Sequence, residues 1–166
     1  VRVIDMFLAF PGILLAIALA GILGPGVDNV IIALAAVGWV GFARLTRAQA
    51  LSLRAQTHVV AARALGVGTA RIIRVHVLGN ITAPIIVEAT FGVAAAVIAE
   101  AGLSFLGLGV QPPTASWGSM LQEGTRYMLV APHLVIAPAV VIFAVALSVN
   151  LLGDRLRDSL DVRRSP

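Results

Sequence analysis

The stretch MFLAFPGILLAIALAGILGPGV, residues 6–27, carries no charged side chain. As an α-helix it is long enough to cross the roughly 30 Å of hydrocarbon in a lipid bilayer. The whole chain shares this character, since 59% of its 166 residues are hydrophobic, 12% are charged and its mean hydropathy is +0.98. A chain of this size has too little interior to bury so much apolar surface in water. The composition therefore predicts a membrane protein.

Three further apolar blocks follow the first along the chain. The predicted spans are residues 6–27, 29–46, 78–99 and 133–152. An arginine-rich loop, residues 47–77, separates the second span from the third, and a segment rich in glycine, proline and aromatic residues, 100–132, follows the third. That segment is too broken for a straight span and too apolar for a solvated loop, so we expect a partly inserted or re-entrant segment packed against protein. We predict an all-α polytopic fold, with residues 1–166 forming one transmembrane domain.

The distribution of arginine predicts the orientation of the chain. All 12 basic residues are arginines, and four spans would place both termini and the 47–77 loop on one side of the membrane. Eleven arginines fall on or next to that side: Arg2, Arg44, Arg47, Arg54, Arg63, Arg71, Arg74, Arg155, Arg157, Arg163 and Arg164. Only Arg126 falls on the other side. Because cytoplasmic loops carry the excess of basic residues, we predict that both ends of the chain are cytoplasmic, and we attribute the net charge of +4 to topology and not to nucleic-acid binding.

Signatures of bond-making chemistry are missing from the sequence. It contains no HExxH, GxSxG, P-loop or GxGxxG motif, and it contains no cysteine that would form a disulfide or a thiolate metal site. Its three histidines, His58, His76 and His133, are scattered, and we interpret the first two as solvated or capping side chains. We therefore expect no catalytic residue, no metal and no cofactor.

Two glutamates fall in or beside the third predicted span. Glu88 lies about two turns inside it, and an ionisable residue within a membrane span is a functional candidate by default. The alternative is a structural role, with the carboxylate reaching water or a neighbouring helix near the cytoplasmic end. Glu100 falls at the outer end, where the interface itself solvates a charge. We take both as candidate translocation-path or structural residues.

The stretch HVVAARALG, residues 58–66, interrupts the arginine-rich loop. It predicts a short helix on which Ala61, Ala62 and Leu65 form a low apolar face, and Gly66 allows the chain to reverse after it. Small side chains allow another protein to approach the backbone closely, so this face is a candidate docking site. An amphipathic helix lying on lipid headgroups explains the same pattern equally well.

This stretch resembles the EAA loop of ABC-importer permeases, in which V-E-A-A-R-A-L-G is followed by H-I-L-P-N. Here the second motif reads HVLGN, residues 76–80. Other stretches match the C-type permeases of the dipeptide, oligopeptide and nickel family in the same order: DMFLAFPGILL (5–15), LSFLGLG (103–109), QPP (111–113), WGSML (117–121) and NLLGDRLRDSLD (150–161). The resemblance covers nearly the whole chain, and several motifs in the right order make it specific.

The resemblance implies a type I ABC importer transmembrane fold. That family has two further spans before this point, so the chain, which begins at Val1 without methionine, is expected to be truncated at its N-terminus. The implied ATPase-docking coupling helix comprises Val60, Ala61, Ala62, Arg63, Ala64, Leu65 and Gly66. The implied partners are a second permease subunit in a heterodimer, two cytoplasmic ATP-binding subunits, an extracytoplasmic solute-binding protein and membrane lipid.

The implied function is ATP-driven import of peptides or related small solutes, such as nickel chelates, across the bacterial inner membrane. ATP hydrolysis by the partner subunits would drive alternating access in the permease pair. Four positions depart from the family pattern: Val60 replaces a glutamate, Gly79 a proline, Arg155 a glycine and Val162 a proline. Loss of the glutamate removes a polar contact at the docking helix, and coupling is then either weakened or compensated elsewhere.

A rival interpretation is a self-contained secondary transporter or channel that uses Glu88 as an ion or proton site. Such a protein has no need of an Ala-Ala docking helix, and the sequence offers one carboxylate inside a predicted span. An intramembrane enzyme is a third interpretation, but no nucleophile–base pair or metal-ligand motif supports it.

Overall fold

The computed structural model describes residues 2–160. Within this range the regular structure is helical, and there is no strand. The helices are α1 (Arg2–Leu8), α2 (Gly12–Leu23), α3 (Val27–Arg54), α4 (Thr57–Ala64), α5 (Thr69–Ile72), α6 (Leu78–Phe105), α7 (Trp117–Thr125) and α8 (His133–Leu160), with a π-helical segment, Ile73–Val77, joining α5 to α6. Val162, Arg163 and Arg164, which were singled out above, lie outside the described residues.

Three helices are long and apolar enough to cross a membrane: Val27–Arg54, Thr69–Phe105 and His133–Leu160. In their most apolar windows only 11–17% of residues are buried inside the protein. The exposed apolar side chains of these helices therefore need lipid or other protein subunits to cover them. This supports the predicted all-α membrane fold.

The prediction of one continuous helix over residues 6–27 is wrong. Helices α1 and α2 meet at an angle of 89°, with the break at Phe10 and Pro11. Proline disfavours helical geometry in the residue before it and provides no N–H of its own, so α1 cannot continue through Pro11, and α2 begins at Gly12 directly after it. The two helices form one broken span or a re-entrant pair.

The other long helices extend beyond the predicted spans. Helix α3 continues from the predicted end at residue 46 to Arg54, because Ala, Leu, Gln and Arg favour helix and no glycine or proline intervenes. The helix that contains the third predicted span begins at Thr69, nine residues before the predicted start at 78, and α8 ends at Leu160. Much of the arginine-rich 47–77 segment is therefore helix in line with the spans.

Glycines set how closely the helices approach one another. A Cβ on Gly12 of α2 would lie 3.1 Å from Val37 of α3, and one on Gly124 of α7 would lie 2.7 Å from the Leu134 carbonyl oxygen at the start of α8. A Cβ on Gly118 of α7 would collide with the carbonyl of Ala101 on α6. Helix α7 thus packs closely against both α6 and α8, because at these two positions glycine has no side chain that would hold the backbones apart.

A small core joins α2, α3 and α6 near the α2–α3 turn. Its buried members are Ala20, Val30, Ala33 and Leu103. The turn is held by Asn29, whose side-chain amide donates to the carbonyls of Leu23 and Gly24 at 3.0 Å each. The N–H of Gly26 also donates to the Leu108 carbonyl at 3.2 Å, so the turn is bound to the chain that follows α6.

Candidate functional site

The opposite end of the bundle carries the segment between α3 and α6, residues 55–77, which we call the coupling loop after the role that the sequence resemblance implies for it. Helix α4 ends in a Schellman motif: the N–H of Gly66 donates to the Arg63 carbonyl and the N–H of Val67 to the Ala62 carbonyl, both at 3.1 Å. Gly66 has φ +76°, the left-handed conformation expected of a glycine that ends a helix. The chain then turns back so that α5 packs against α4.

A hydrophobic cluster inside the coupling loop fixes α4 on α5. Val59, Ala62 and Ile72 are buried in it, and Val67 packs against them. Positions 59 and 62 are three residues apart and share one face of α4, as helical geometry requires. The loop is therefore a small packed unit and not a flexible connection.

The apolar face predicted for α4 needs a correction at Ala62. The sequence analysis predicted that Ala61, Ala62 and Leu65 form one apolar face for docking. In the structure Ala62 is only 8% exposed, because it faces Ile72. Ala61 is exposed, and Leu65, four residues later on the same side, is 83% exposed. The outward surface of the loop thus consists of Val60, Ala61, Arg63, Ala64 and Leu65, all of them exposed.

The α6 end of the loop continues without a break into the longest helix of the protein. Helix α5, the π-helical segment and α6 form one helical run from Thr69 to Phe105, 37 residues long. The loop is therefore continuous with a helix that packs against α3, α7 and α8. The N-cap position of α5 is Gly68, and Thr69 is its first helical residue.

The structure also brings together two histidines that the sequence left scattered. The ring centroids of His58 on α4 and His76 in the π-helical segment lie 5.5 Å apart, with the ring planes tilted by 48°. The Asn80 side-chain amide donates to the His76 carbonyl at 2.7 Å, one turn further along. The two histidines are eighteen positions apart in the sequence, so no local pattern indicates that they meet.

A groove of about 680 Å³ opens beside the coupling loop, between the ends of α3, α6 and α8. Its polar lining consists of Gln49, Ser52, Gln56, Asn80, Glu88 and Arg157. The groove is lined by the C-terminal ends of α3 and α8 and by the first half of α6. The arginine-bearing C-terminal ends of α3 and α8 therefore lie together at one end of the bundle.

Glu88 lies near the middle of the Thr69–Phe105 helix and is half-buried. Its side chain extends towards α3, where a Cβ added to Gly41 would lie 3.2 Å from Glu88 Oε1. The absence of a side chain on Gly41 thus provides the room for this carboxylate at the edge of the groove. Both roles proposed for Glu88, structural and translocation-path, fit this position.

Glu100 belongs to the other end of the bundle and to a different set of contacts. It accepts a hydrogen bond of 2.6 Å from the hydroxyl of Ser104, which is 1% exposed. That hydroxyl in turn accepts the N–H of Val110 at 3.2 Å. The pair holds the chain after α6 against its own helix, next to a second cavity of about 400 Å³ that Glu100 and Trp117 line. The geometry gives Glu100 a structural contact.

The 100–132 segment, predicted as re-entrant or packed against protein, contains one short helix, α7. Its first turn is capped reciprocally: the Ser119 N–H donates to Ser116 Oγ at 3.1 Å and the Ser116 N–H donates to Ser119 Oγ at 3.0 Å. The preceding helix α6 ends at Phe105 in a second Schellman motif, in which Gly107 has φ +79°. Since α7 packs on α6 and α8, the segment is packed against protein as predicted.

Comparison with known proteins places this arrangement in a family. The glutathione transport system permease protein GsiD of Salmonella typhimurium is 48% identical to the chain over 160 residues, which cover 96% of the chain. The proteins of the same name from Salmonella typhi and Escherichia coli O6:K15:H31 show the same identity and coverage. The chain spans 53% of the length of these relatives. The model of the family described as binding-protein-dependent transport system inner membrane component matches residues 1–165. With its apolar helices and its arginine-rich loop, the chain belongs to that family of inner-membrane transport components.

Proposed function

We propose that this chain is the translocating part of a permease subunit in a bacterial ATP-driven importer that takes solute from a binding protein. The observation that carries the proposal is the coupling loop: a packed unit with an exposed apolar face, joined rigidly to the central helix. The family match and the 48% identity to glutathione permeases support it. A secondary transporter is not favoured, because these relatives are subunits of transport systems.

The proposed partners would cover the apolar surfaces that the described helices leave exposed. The apolar sides of the long helices would contact lipid and a second permease subunit. Two ATP-binding subunits would dock on the outward surface of α4, and a solute-binding protein would deliver its cargo at the end of the bundle that holds α7. Both termini and the coupling loop would then lie in the cytoplasm.

The proposed mechanism is mechanical, with the chemistry left to the ATP-binding subunits. When these subunits close, they would move α4, and the cluster of Val59, Ala62 and Ile72 would carry α5 with it. The helical run from Thr69 to Phe105 would transmit that movement along the bundle and past the groove that Glu88 lines. Opening and closing of that groove against the second permease subunit would alternate access to the two sides of the membrane.

For the transported solute we propose small peptides, with glutathione as the first compound to test because the relatives carry that name. The groove contains one carboxylate, Glu88, and one guanidinium, Arg157, along with neutral amides. Such a lining matches the ammonium, carboxylate and amide groups of a peptide.

The docking proposal is tested by Ala61→Arg, which changes an exposed position of α4 without entering the loop cluster. The full-length permease pair should insert normally but fail to co-purify with its ATP-binding subunits, because the new side chain would hold the partner away from the backbone or bury an unpaired charge. The matched control is Ala70→Arg on α5, which is also exposed but lies outside α4. If Ala61→Arg assembles and couples ATP hydrolysis to transport like the unmodified protein, α4 is not the docking helix.

A further inference from the structure

His58 and His76 form a side-chain pair that the proposed transport mechanism does not use. His58 is exposed on the first turn of α4, and His76 is half-buried in the π-helical segment. Their ring centroids are 5.5 Å apart. A tetrahedral metal bonded to one nitrogen of each ring at about 2.1 Å would place the two centroids roughly 5 Å apart. The observed separation of the two centroids is close to that value.

We propose that His58 and His76 bind one transition-metal ion that clamps α4 onto the beginning of the central helix. Imidazole nitrogen is a preferred ligand of Zn²⁺, Ni²⁺ and Cu²⁺. Within residues 2–160 no group of three histidine, cysteine or carboxylate side chains that would hold a metal occurs, so water or a group of a docked partner completes the coordination. The site is therefore a two-ligand site of moderate affinity, open on its solvent side.

The basic residues on the two elements favour a metal that binds nitrogen. Arg63 on α4 and Arg74 in the π-helical segment place guanidinium groups on the same two elements, and both residues are exposed. A hard cation such as Mg²⁺ or Ca²⁺, which needs carboxylate oxygens and negative charge, is disfavoured there. A metal that gains its stability from nitrogen coordination tolerates nearby positive charge better.

The backbone at His76 provides a second observation that points to this position. π-helical turns are rare and occur frequently at functional sites, because the additional residue in the turn changes the direction in which side chains project. Here the π-helical turn is Ile73–Val77 and contains His76. It lies at the junction through which the coupling loop would move the central helix.

A metal at this junction would restrain the loop. Helix α4 is attached to α5 by the cluster of Val59, Ala62 and Ile72, and the metal would add a second attachment from His58 across to the base of α6. Movement of α4 relative to α6 would then require breaking a coordination bond. The proposal concerns the loop of this chain itself and does not depend on which partner docks there.

The test uses full-length permease, purified in detergent without a polyhistidine tag, and Zn²⁺ or Cu²⁺ alone as the probe. We expect one ion per chain by calorimetry, a Zn²⁺-dependent rise in apparent unfolding temperature, and a Cu²⁺ electron paramagnetic resonance spectrum that shows two coordinating nitrogens. His58→Gln and His76→Gln should each weaken binding about tenfold or more, and the double variant should abolish the thermal effect. His133→Gln, at the start of α8 and outside the pair, is the matched control and should bind as the unmodified protein does.

Three outcomes would overturn the proposal: no binding by the unmodified protein, binding that survives in the double variant, or equal loss in the His133→Gln control. His58 is exposed, so His58→Gln should leave the metal-free unfolding temperature unchanged. An unchanged metal-free unfolding temperature shows that the variant has lost a metal ligand and not its fold. The loss of metal binding is therefore judged first on His58→Gln.

Discussion

The ring of Phe91 on α6 packs directly on the backbone of Gly153 on α8, so closely that a Cβ at position 153 would lie 3.0 Å from Phe91 Cε1 and 3.2 Å from Cζ. The contact lies where the apolar helices α6 and α8 meet, beside the groove that Phe91 also lines. The glycine in the NLLGD stretch therefore sets the spacing of α6 and α8 and, with it, the width of the groove.

Enlarging Gly153 should separate the two helices. Gly153→Leu overpacks the contact and is expected to lower the stability of the bundle by about 1–3 kcal/mol, while Gly153→Ala should have a smaller effect because the ring has to move only a few tenths of an ångström. Fluorescence-detected thermal unfolding in detergent measures both. Gly102→Ala on α6 is the control, since nothing lies within 4 Å of its added methyl. Equal unfolding temperatures for Gly153→Leu and Gly102→Ala would contradict the packing assignment.

The turn after α4 should depend on backbone conformation alone. Gly66 has φ +76°, and nothing lies within 4 Å of a Cβ added there. Gly66→Val should therefore cost about 1–2 kcal/mol through left-handed strain, whereas Gly66→Asn, which tolerates that conformation, should cost much less. Transport-coupled ATP hydrolysis by the assembled importer measures the effect on the loop. Gly68→Ala, at φ −61°, is the control and should behave as the unmodified protein does. Equal activity of the valine and asparagine variants would remove the role assigned to Gly66.

Residues 54 and 114 should lie on opposite sides of the membrane. Arg54 ends α3 and Thr114 lies between α6 and α7, and both are exposed. The chain contains no cysteine, so a single cysteine introduced at either position is a clean label site. An impermeant thiol reagent applied to intact cells with a permeable outer membrane should label position 114 only, and both positions after the inner membrane is permeabilised. Labelling of position 54 in intact cells would reverse the orientation.

Glu88 should be tested together with its neighbour Gly41. If the carboxylate has only a packing role, Glu88→Gln should preserve transport and its pH dependence, because the amide keeps the shape and the hydrogen-bonding capacity of the side chain. Solute uptake into proteoliposomes at several pH values decides this. Gly41→Ala, which intrudes on the same side chain at 3.2 Å, should impair uptake even though it alters no charge. A pH response that Glu88→Gln abolishes and Gly41→Ala retains would assign an ionic role to the carboxylate and revive the secondary-transporter interpretation.

Several features of the fold could be predicted because they depend on neighbouring residues. A charge-free block of sufficient length indicates helix for lipid, although its length does not reveal a break such as the one at Pro11 in the first block. Arginine clusters indicate which ends share one side. The reversal at Gly66 was predictable for the same reason, since a glycine following a short helical pattern is the common end of a helix. The continuation of α3 from residue 47 to Arg54 was not predicted, because the arginines were taken as the end of a span, although arginine favours helix.

By itself, the sequence determined that the chain is helical, apolar on its surface and interrupted by a loop with a docking-type motif. Only the tertiary structure decided that Ala62 is covered by Ile72, that His58 meets His76, and that Glu88 projects over Gly41. Each of these contacts depends on the rotation and register of two helices that are distant in sequence. Helical periodicity shows which residues share a face, but the packing of the partner helix decides which face is inside.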